Sequence, residues 1–291
     1  MAEPTQIKKD SGTVSLDSER RIGPKTVAIM GVGIMGSTLL SGLIRAGRDA
    51  ADLVITGRNA ERAEELASTH GVRLMSNQEA AQTADTLVLV VKPQDMEGLL
   101  AEIRDHVRPG ALVVSLAAGI TTAFLEERLP EGTAVVRVMP NTPALVDEGM
   151  AAVSPGQHCD EVHLKEAEEL LRSCGKVLRV PEKHLDAVTA ISGSGPAYIF
   201  YVVEAMIEAG VLLGMPRKTS TELVVQTLYG AATMLKETGQ HPTVLREQVS
   251  SPGGTTMAAL RQLDDHKVRA AFVTAMEAAA ERSKQLASGS G

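Results

Sequence analysis

Hydrophobic positions along the 291-residue chain fall into two regimes that meet near Pro181. In the first, short unbroken apolar runs alternate with amphipathic stretches. The runs at 26–30 (TVAIM), 53–56, 72–75, 86–91 (TLVLVV), 112–116 and 134–139 read as strands, and the stretches at 37–46, 60–69, 78–82, 96–107 and 122–129 as helices. Strands that lack polar alternation and are separated by helices indicate a mostly parallel sheet covered on both faces, the doubly wound design. Two weaker strands, at 150–153 and 176–180, flank a helix at 161–173 and extend the sheet in this reading.

After Pro181 the strand pattern ends, and 185–191, 197–213, 218–237, 243–249, 256–263 and 268–286 all read as helix. Segments such as VVEAMIEAGVLLG are apolar on most sides and must be buried. An all-helical unit of about 110 residues has little interior of its own. Burial against a second subunit is therefore expected, with a homodimer as the minimum unit and larger assemblies left open. The expected organisation is a polar, mixed-charge and disordered extension at 1–24, a sheet domain at 25–180 and a helical domain at 181–291 with a flexible end. No apolar run reaches about 18 residues, so no membrane-spanning helix is expected.

Composition narrows the partners. A net charge of −7 argues against nucleic acid or an anionic membrane, both of which demand a cationic face. Aromatics at 2% disfavour stacking platforms for single strands. Two scattered cysteines, Cys159 and Cys174, make no disulfide framework and suit a reduced cytoplasmic setting. Cys159 lies within HCDEVH, but no second ligand cluster follows, and a polar helix start explains the segment better than a metal site.

The first run is followed by GVGIMG, which fits G-x-G-x-x-G after a strand and before a helix. Gly31 allows the tight turn, Gly33 admits a pyrophosphate to the backbone, and Gly36 lets the helix pack on the strand. Together with Val32, Ile34 and Met35 they form a cofactor loop at a helix N-terminus, which attracts phosphate. Where the second strand ends, NAD enzymes usually carry an acidic residue. This chain has Thr56, Gly57, Arg58 and Asn59 instead. A hydroxyl, a guanidinium and an amide suit a 2′-phosphate, so NADPH is favoured and NADH is the weaker candidate. Asn77 is a candidate adenosine contact. Val91, Lys92 and Pro93 end the strongest strand, and Ala117, Ala118 and Gly119 follow the next one, where small residues leave room for the nicotinamide ribose.

Three further segments look like neither ordinary helix nor strand: RVMPNTPALVDEG (137–149), SGSGPAY (192–198) and SSPGGTT (250–256). The last leads into a helix, and its successive N–H groups offer a site for a carboxylate. An N-cap loop without a ligand fits those residues equally well.

GVGIMG, VKPQ, SLAAGIT, RVMPNTP, DAVTAISGSGPAY and SPGGTTMAAL occur in the order in which they appear in pyrroline-5-carboxylate reductases, and the chain resembles that family from about residue 25 to 286. The resemblance implies a Rossmann-like domain followed by a helical dimerisation domain, an active site shared between subunits, and reduction of 1-pyrroline-5-carboxylate to proline with NADPH. It implies that Ser251, Gly254, Thr255 and Thr256 hold the substrate, with Thr256 on the ring nitrogen as the catalytic hydroxyl. It places Glu182 near the substrate and Gln248 near the cofactor. A β-hydroxyacid dehydrogenase is the nearest rival. That family carries a lysine on the first long helix after the sheet, and PAYIFYVVEAMIEAGVLLG has none. A non-catalytic cofactor-binding protein on the same fold is the second rival, and the intact SPGGTT turn speaks against it.

Overall fold

A computed structural model describes residues 25–287. The extension at 1–24 and the end at 288–291, with the expectations attached to them, lie outside the described residues. The first half lays down β1 (Val27–Met30), α1 (Ile34–Arg45), β2 (Leu53–Thr56), α2 (Ala60–His70), β3 (Arg73–Leu74), α3 (Asn77–Thr83), β4 (Thr86–Leu89), α4 (Pro93–Ile103), β5 (Leu112–Ser115), α5 (Thr122–Glu126) and β6 (Ala134–Met139). β7 (Gly149–Pro155), α6 (Glu161–Arg172) and β8 (Gly175–Arg179) follow. They build one eight-stranded sheet in the order β3-β2-β1-β4-β5-β6-β7-β8. All neighbours are parallel except β6 and β7, so the last two strands run against the rest.

The unbroken apolar runs are explained by this arrangement. Every residue of β1, β2, β4 and β5 is buried. Alternate side chains feed two cores, one on each face. Val27, Ile29 and Ile55 pack with Leu39, Leu40 and Leu43 of α1 and Leu170 and Leu171 of α6. Ala28, Met30 and Val54 pack with Ala80 and Ala81 of α3, Met96 and Leu100 of α4, and Leu125 of α5. The strand order reverses direction between β1 and β4, and a doubly wound sheet opens its ligand crevice at that point.

The second half is helical: α7 (Leu185–Val188), a π-helical turn (Thr189–Gly193), α8 (Gly195–Leu212), α9 (Arg217–Thr238), α10 (Pro242–Gln248), α11 (Thr255–Asp265) and α12 (Val268–Ala287). SGSGPAY is therefore not a loop. Its glycines and serines close the π turn and open α8, and Pro196 takes the first turn, where its missing N–H costs nothing. Helix runs almost unbroken over Glu182–Leu212, and by length and apolar composition alone that stretch is sufficient for a bilayer span. Only 6% of its most apolar window is buried within the protomer.

The exposed apolar surface is not confined to that stretch. Phe200 and Leu212 of α8 are 66% and 88% exposed, and Tyr229 of α9 is 66% exposed. α10 and α11 bury no residue at all. A buried Leu or Phe contributes about 1.5–3 kcal/mol relative to an exposed one, so a half-domain that leaves this many in water is built to be covered.

Candidate active site

The loops at the carboxyl ends of β1, β2 and β4 enclose a cleft of about 650 Å³, lined among others by Gly31, Val32, Gly33, Thr56, Arg58, Asn59, Asn77, Val91 and Lys92. Gly31 has φ +111, a conformation that L side chains rarely adopt, and its N–H donates to the Thr56 carbonyl at 3.0 Å. An added Cβ at Gly36 would lie 2.0 Å from the Gly31 carbonyl oxygen, so helix and turn touch backbone to backbone. At Gly33 the added Cβ would meet nothing within 4 Å. That position is open, on the cleft wall, and is the N-cap of α1 without a side-chain cap. The first-turn N–H groups of Ile34, Met35 and Gly36 have no acceptor inside the helix and face the dipole's positive end. Free donors, an open cradle and a positive helix end fit a pyrophosphate.

Across the cleft, Thr56 donates to the Asn77 side-chain oxygen at 2.6 Å, and the Asn77 amide donates to Glu102 at 2.9 Å. Asn59 caps α2 by accepting the Arg62 N–H at 3.0 Å. Arg62, Gln94, Asp95, Gly98, Leu99 and Glu102 join the lining, and none was singled out from the sequence. Arg58 donates through both terminal nitrogens to both oxygens of Asp95, at 2.8 Å each. Pro93 is the first residue of α4, just outside this lining. Ala117, Ala118 and Gly119, at the end of β5, are not part of it. Gly119 instead comes within van der Waals reach of the end of α12, where its added Cβ would lie 3.4 Å from the Ala287 nitrogen.

The Ser251–Gly254 segment makes a turn in which the Gly254 N–H donates to the Ser251 carbonyl at 3.0 Å, and Gly253 sits at φ +68. Gly254 is the N-cap of α11, again without a side-chain cap, so Thr255, Thr256 and Met257 present unpaired N–H groups. Neither this turn nor Gln248, whose amide donates to Gln240 at 3.1 Å, lines the dinucleotide cleft of the same protomer.

Glu182 stands where the sheet domain hands over to the helices. One oxygen accepts the Thr122 N–H at 2.9 Å and an Arg137 nitrogen at 3.0 Å, and the other accepts the Thr122 hydroxyl at 2.7 Å. Burial pushes this carboxyl upward, but the Thr122 donors and the Arg137 guanidinium outweigh it and hold it below the usual carboxylate range. Asn141 makes a second tie, accepting the Met150 N–H at 2.8 Å and donating to the Ser192 carbonyl in the π turn at 3.1 Å. Glu182→Gln is expected to lose about 2 kcal/mol of stability near neutral pH, because it leaves buried Arg137 facing a neutral amide. The lowered carboxyl stabilises the fold fully above its unfolded value of about 4.3, and this contribution disappears as pH falls through the folded value. Urea unfolding of parent and variant must therefore converge in acid; a gap that stays constant with pH would mean that the loss is one of packing.

HCDEVH is spent on structure. Asp160 caps α6 and pairs with His163 in a capping box, and the Cys159 thiol donates to the Val135 carbonyl at 2.9 Å. Burial pushes both cysteine thiols up, which makes them poor nucleophiles.

A doubly wound sheet with an open glycine turn at its switch point, joined to an apolar helical half, defines a nicotinamide-dinucleotide-binding oxidoreductase that works as an oligomer. The family model described as pyrroline-5-carboxylate reductase dimerisation matches residues 182–286, and that described as NADP oxidoreductase, coenzyme F420-dependent, matches 26–119. The pyrroline-5-carboxylate reductase of Corynebacterium melassecola is 48% identical over 265 residues, covering 90% of this chain and 98% of the relative. The solved pyrroline-5-carboxylate reductase of Coxiella burnetii superposes with a TM-score of 0.86 at 36% identity, covering 91% of this chain and 99% of that one. The pyrroline carboxylate reductase of Plasmodium falciparum, solved with NADP bound, gives 0.82 at 33% identity, with 90% and 98% covered. The chain belongs to the pyrroline-5-carboxylate reductase family.

Proposed function

We propose that the chain reduces the ring C=N bond of 1-pyrroline-5-carboxylate to give L-proline, the closing step of proline synthesis, with NADPH as the reductant. The observation that carries the reading is the pair of uncapped helix N-termini, α1 in the dinucleotide cleft and α11 after the SPGG turn, in a chain of this family. One suits the cofactor's pyrophosphate and the other the substrate's carboxylate. The 33% identical relative solved with NADP supports the choice of cofactor.

Bound NADPH supplies the hydride. Gly31, Val32, Gly33, Ile34, Met35 and Gly36 hold the pyrophosphate; Thr56, Arg58, Asn59 and Asn77 take the adenosine end. Val91, Lys92, Pro93, Ala117, Ala118 and Gly119 border the nicotinamide half. Ser251 and the Gly254–Thr256 backbone fix the substrate carboxylate, which sets the imine carbon against the nicotinamide. The Thr256 hydroxyl donates to the ring nitrogen and passes it a proton from water as the carbon accepts the hydride. Glu182 serves as a positioning residue, tying the start of the helical half to Arg137 of β6 and Thr122 of α5. The boundary between the two domains falls at Pro181, after β8. The SPGGTT turn lies outside its own protomer's cleft, which supports a site assembled from two subunits. The free thiols of Cys159 and Cys174 suit a cytoplasmic setting.

Purified protein with 1-pyrroline-5-carboxylate and NADPH should oxidise the cofactor and form proline in equal amounts, and more slowly with NADH. Thr256→Ala should lower kcat about tenfold, the worth of one hydrogen bond to a developing charge, and Thr256→Ser should restore it. Absence of NADPH oxidation by the parent enzyme would reject the reading, and full turnover by Thr256→Ala would remove the hydroxyl's role.

A further inference from the structure

NAD-specific doubly wound proteins take the adenosine ribose with a carboxylate at the end of the second strand. β2 of this chain ends at Thr56, and Gly57, Arg58 and Asn59 follow it, with no carboxylate among the four. The fold nevertheless brings one to that spot. Asp95, from the first turn of α4 and 37 residues further along, lines the same cleft and receives both terminal nitrogens of Arg58 at 2.8 Å. An acidic side chain in the first turn is favoured by the helix dipole, and Pro93 begins that turn. The guanidinium offered to a 2′-phosphate is thus already engaged, face to face, by a carboxylate. Arg62, on the same wall, makes no ion pair among the described residues.

We propose that Asp95 is a specificity-determining residue of the adenosine site, and that it narrows the preference for NADPH over NADH. The proposal rests on the reading of Arg58 as the 2′-phosphate ligand. A phosphate that claims Arg58 must displace the Asp95 carboxylate and then lie beside it, so the 2′-phosphorylated cofactor meets both a competitor and a like charge. NADH carries only a hydroxyl there. It leaves the Arg58–Asp95 pair standing, and the carboxylate can accept the ribose hydroxyl as it does in NAD enzymes. The pair is worth little by itself, because the Arg58 side chain is 79% exposed and Asp95 25%. Partner exchange is therefore cheap, and the charge of Asp95 acts mainly on the incoming phosphate.

The test measures affinity apart from turnover. Adenosine 2′,5′-bisphosphate, AMP, NADPH and NADH are titrated calorimetrically into the full-length protein and into Asp95→Asn, Arg58→Ala and the double variant. Asp95→Asn is expected to tighten NADPH and adenosine 2′,5′-bisphosphate by about five- to twentyfold at low salt, with the gain shrinking as salt rises. NADH and AMP should change by less than about twofold or weaken, because their hydroxyl loses an ionic acceptor but gains no charge relief. Arg58→Ala should weaken the 2′-phosphorylated ligands by about tenfold or more. In that background Asp95→Asn should keep most of its gain, since the carboxylate still repels the 2′-phosphate when no guanidinium stands between them. If Asp95→Asn weakens NADPH, the carboxylate orients Arg58 rather than competing for it, and the proposal is overturned. An unchanged NADPH affinity overturns it as well. In both cases a weakened Arg58→Ala leaves the 2′-phosphate reading intact. If Arg58→Ala binds NADPH as the parent does, that reading fails and the proposal falls with it.

Discussion

Gly33→Ala is expected to fold as the parent does and to lose about two orders of magnitude in NADPH affinity, the worth of one or two charge-assisted backbone contacts to phosphate. The two halves of that expectation come from different observations. Gly33 has φ −71 and ψ −167, extended backbone that any residue adopts, and an added Cβ finds nothing within 4 Å. Nothing in the protomer therefore resists the methyl group. The space it would fill is the cleft wall above the free N–H groups of α1, where a pyrophosphate has to approach. Gly31→Ala provides the contrast. At φ +111 its methyl group would lie 2.8 Å from the Val90 carbonyl oxygen, so that variant should lose about 2–3 kcal/mol of stability along with the cofactor. Thermal unfolding and NADPH fluorescence titration of both variants separate the two effects. A Gly33→Ala protein that binds NADPH at full affinity would place the pyrophosphate elsewhere.

The fold was legible wherever local chemistry and burial agree. VAIM, LVIT, TLVL and LVVS read as strands because each is buried on both faces, and the alternation with helices then implies the parallel sheet. Val90 and Val91 continue that apolar run but lie past the strand, as cleft wall. SGSGP misled because Gly, Ser and Pro in a cluster signal a loop. Here the small residues serve packing: an added Cβ at Gly193 would lie 2.6 Å from the Met139 Cε, and the Ser192 carbonyl accepts from Asn141. Local propensity could not register a neighbour that arrives from β6. The same limit hid Asp95, Arg62 and Glu102, whose place in the cleft depends on how α2 and α4 flank it. The exposed helices of the second half were foreseeable from their all-round apolar character, since such a helix has to be covered by something. Which residues of that half meet a second subunit is a tertiary fact that no single-chain pattern encodes.

Mixing two inactive proteins should restore activity if the SPGGTT turn of one protomer serves the dinucleotide cleft of another. Gly33→Asp puts a carboxylate where the pyrophosphate belongs and should abolish cofactor binding. Gly254→Asp acts at the other end of the reaction. Aspartate is a favoured N-cap, so its side chain should take the first-turn N–H groups of α11 and strengthen that helix. Those are the donors assigned to the substrate carboxylate, which the new charge also repels. Two neighbours are tight: the Ser251 hydroxyl, 2.5 Å from an added Cβ, which a rotation about its Cα–Cβ bond relieves, and the Ser251 carbonyl oxygen at 3.1 Å, which the turn accommodates by giving a few tenths of an ångström. Each homodimer should then turn over at no more than about one per cent of the parent rate, the effect of losing roughly 3 kcal/mol of binding. When the two are unfolded and refolded together in equal amounts, about half the dimers are mixed, and in a shared arrangement each mixed dimer holds one wholly intact site and one doubly damaged site, so activity should return to about a quarter of the parent value. If each protomer completes its own site, every site in the mixture carries one lesion and the activity stays near one per cent. The apolar faces of α8 and α9 would then join subunits without joining their chemistry.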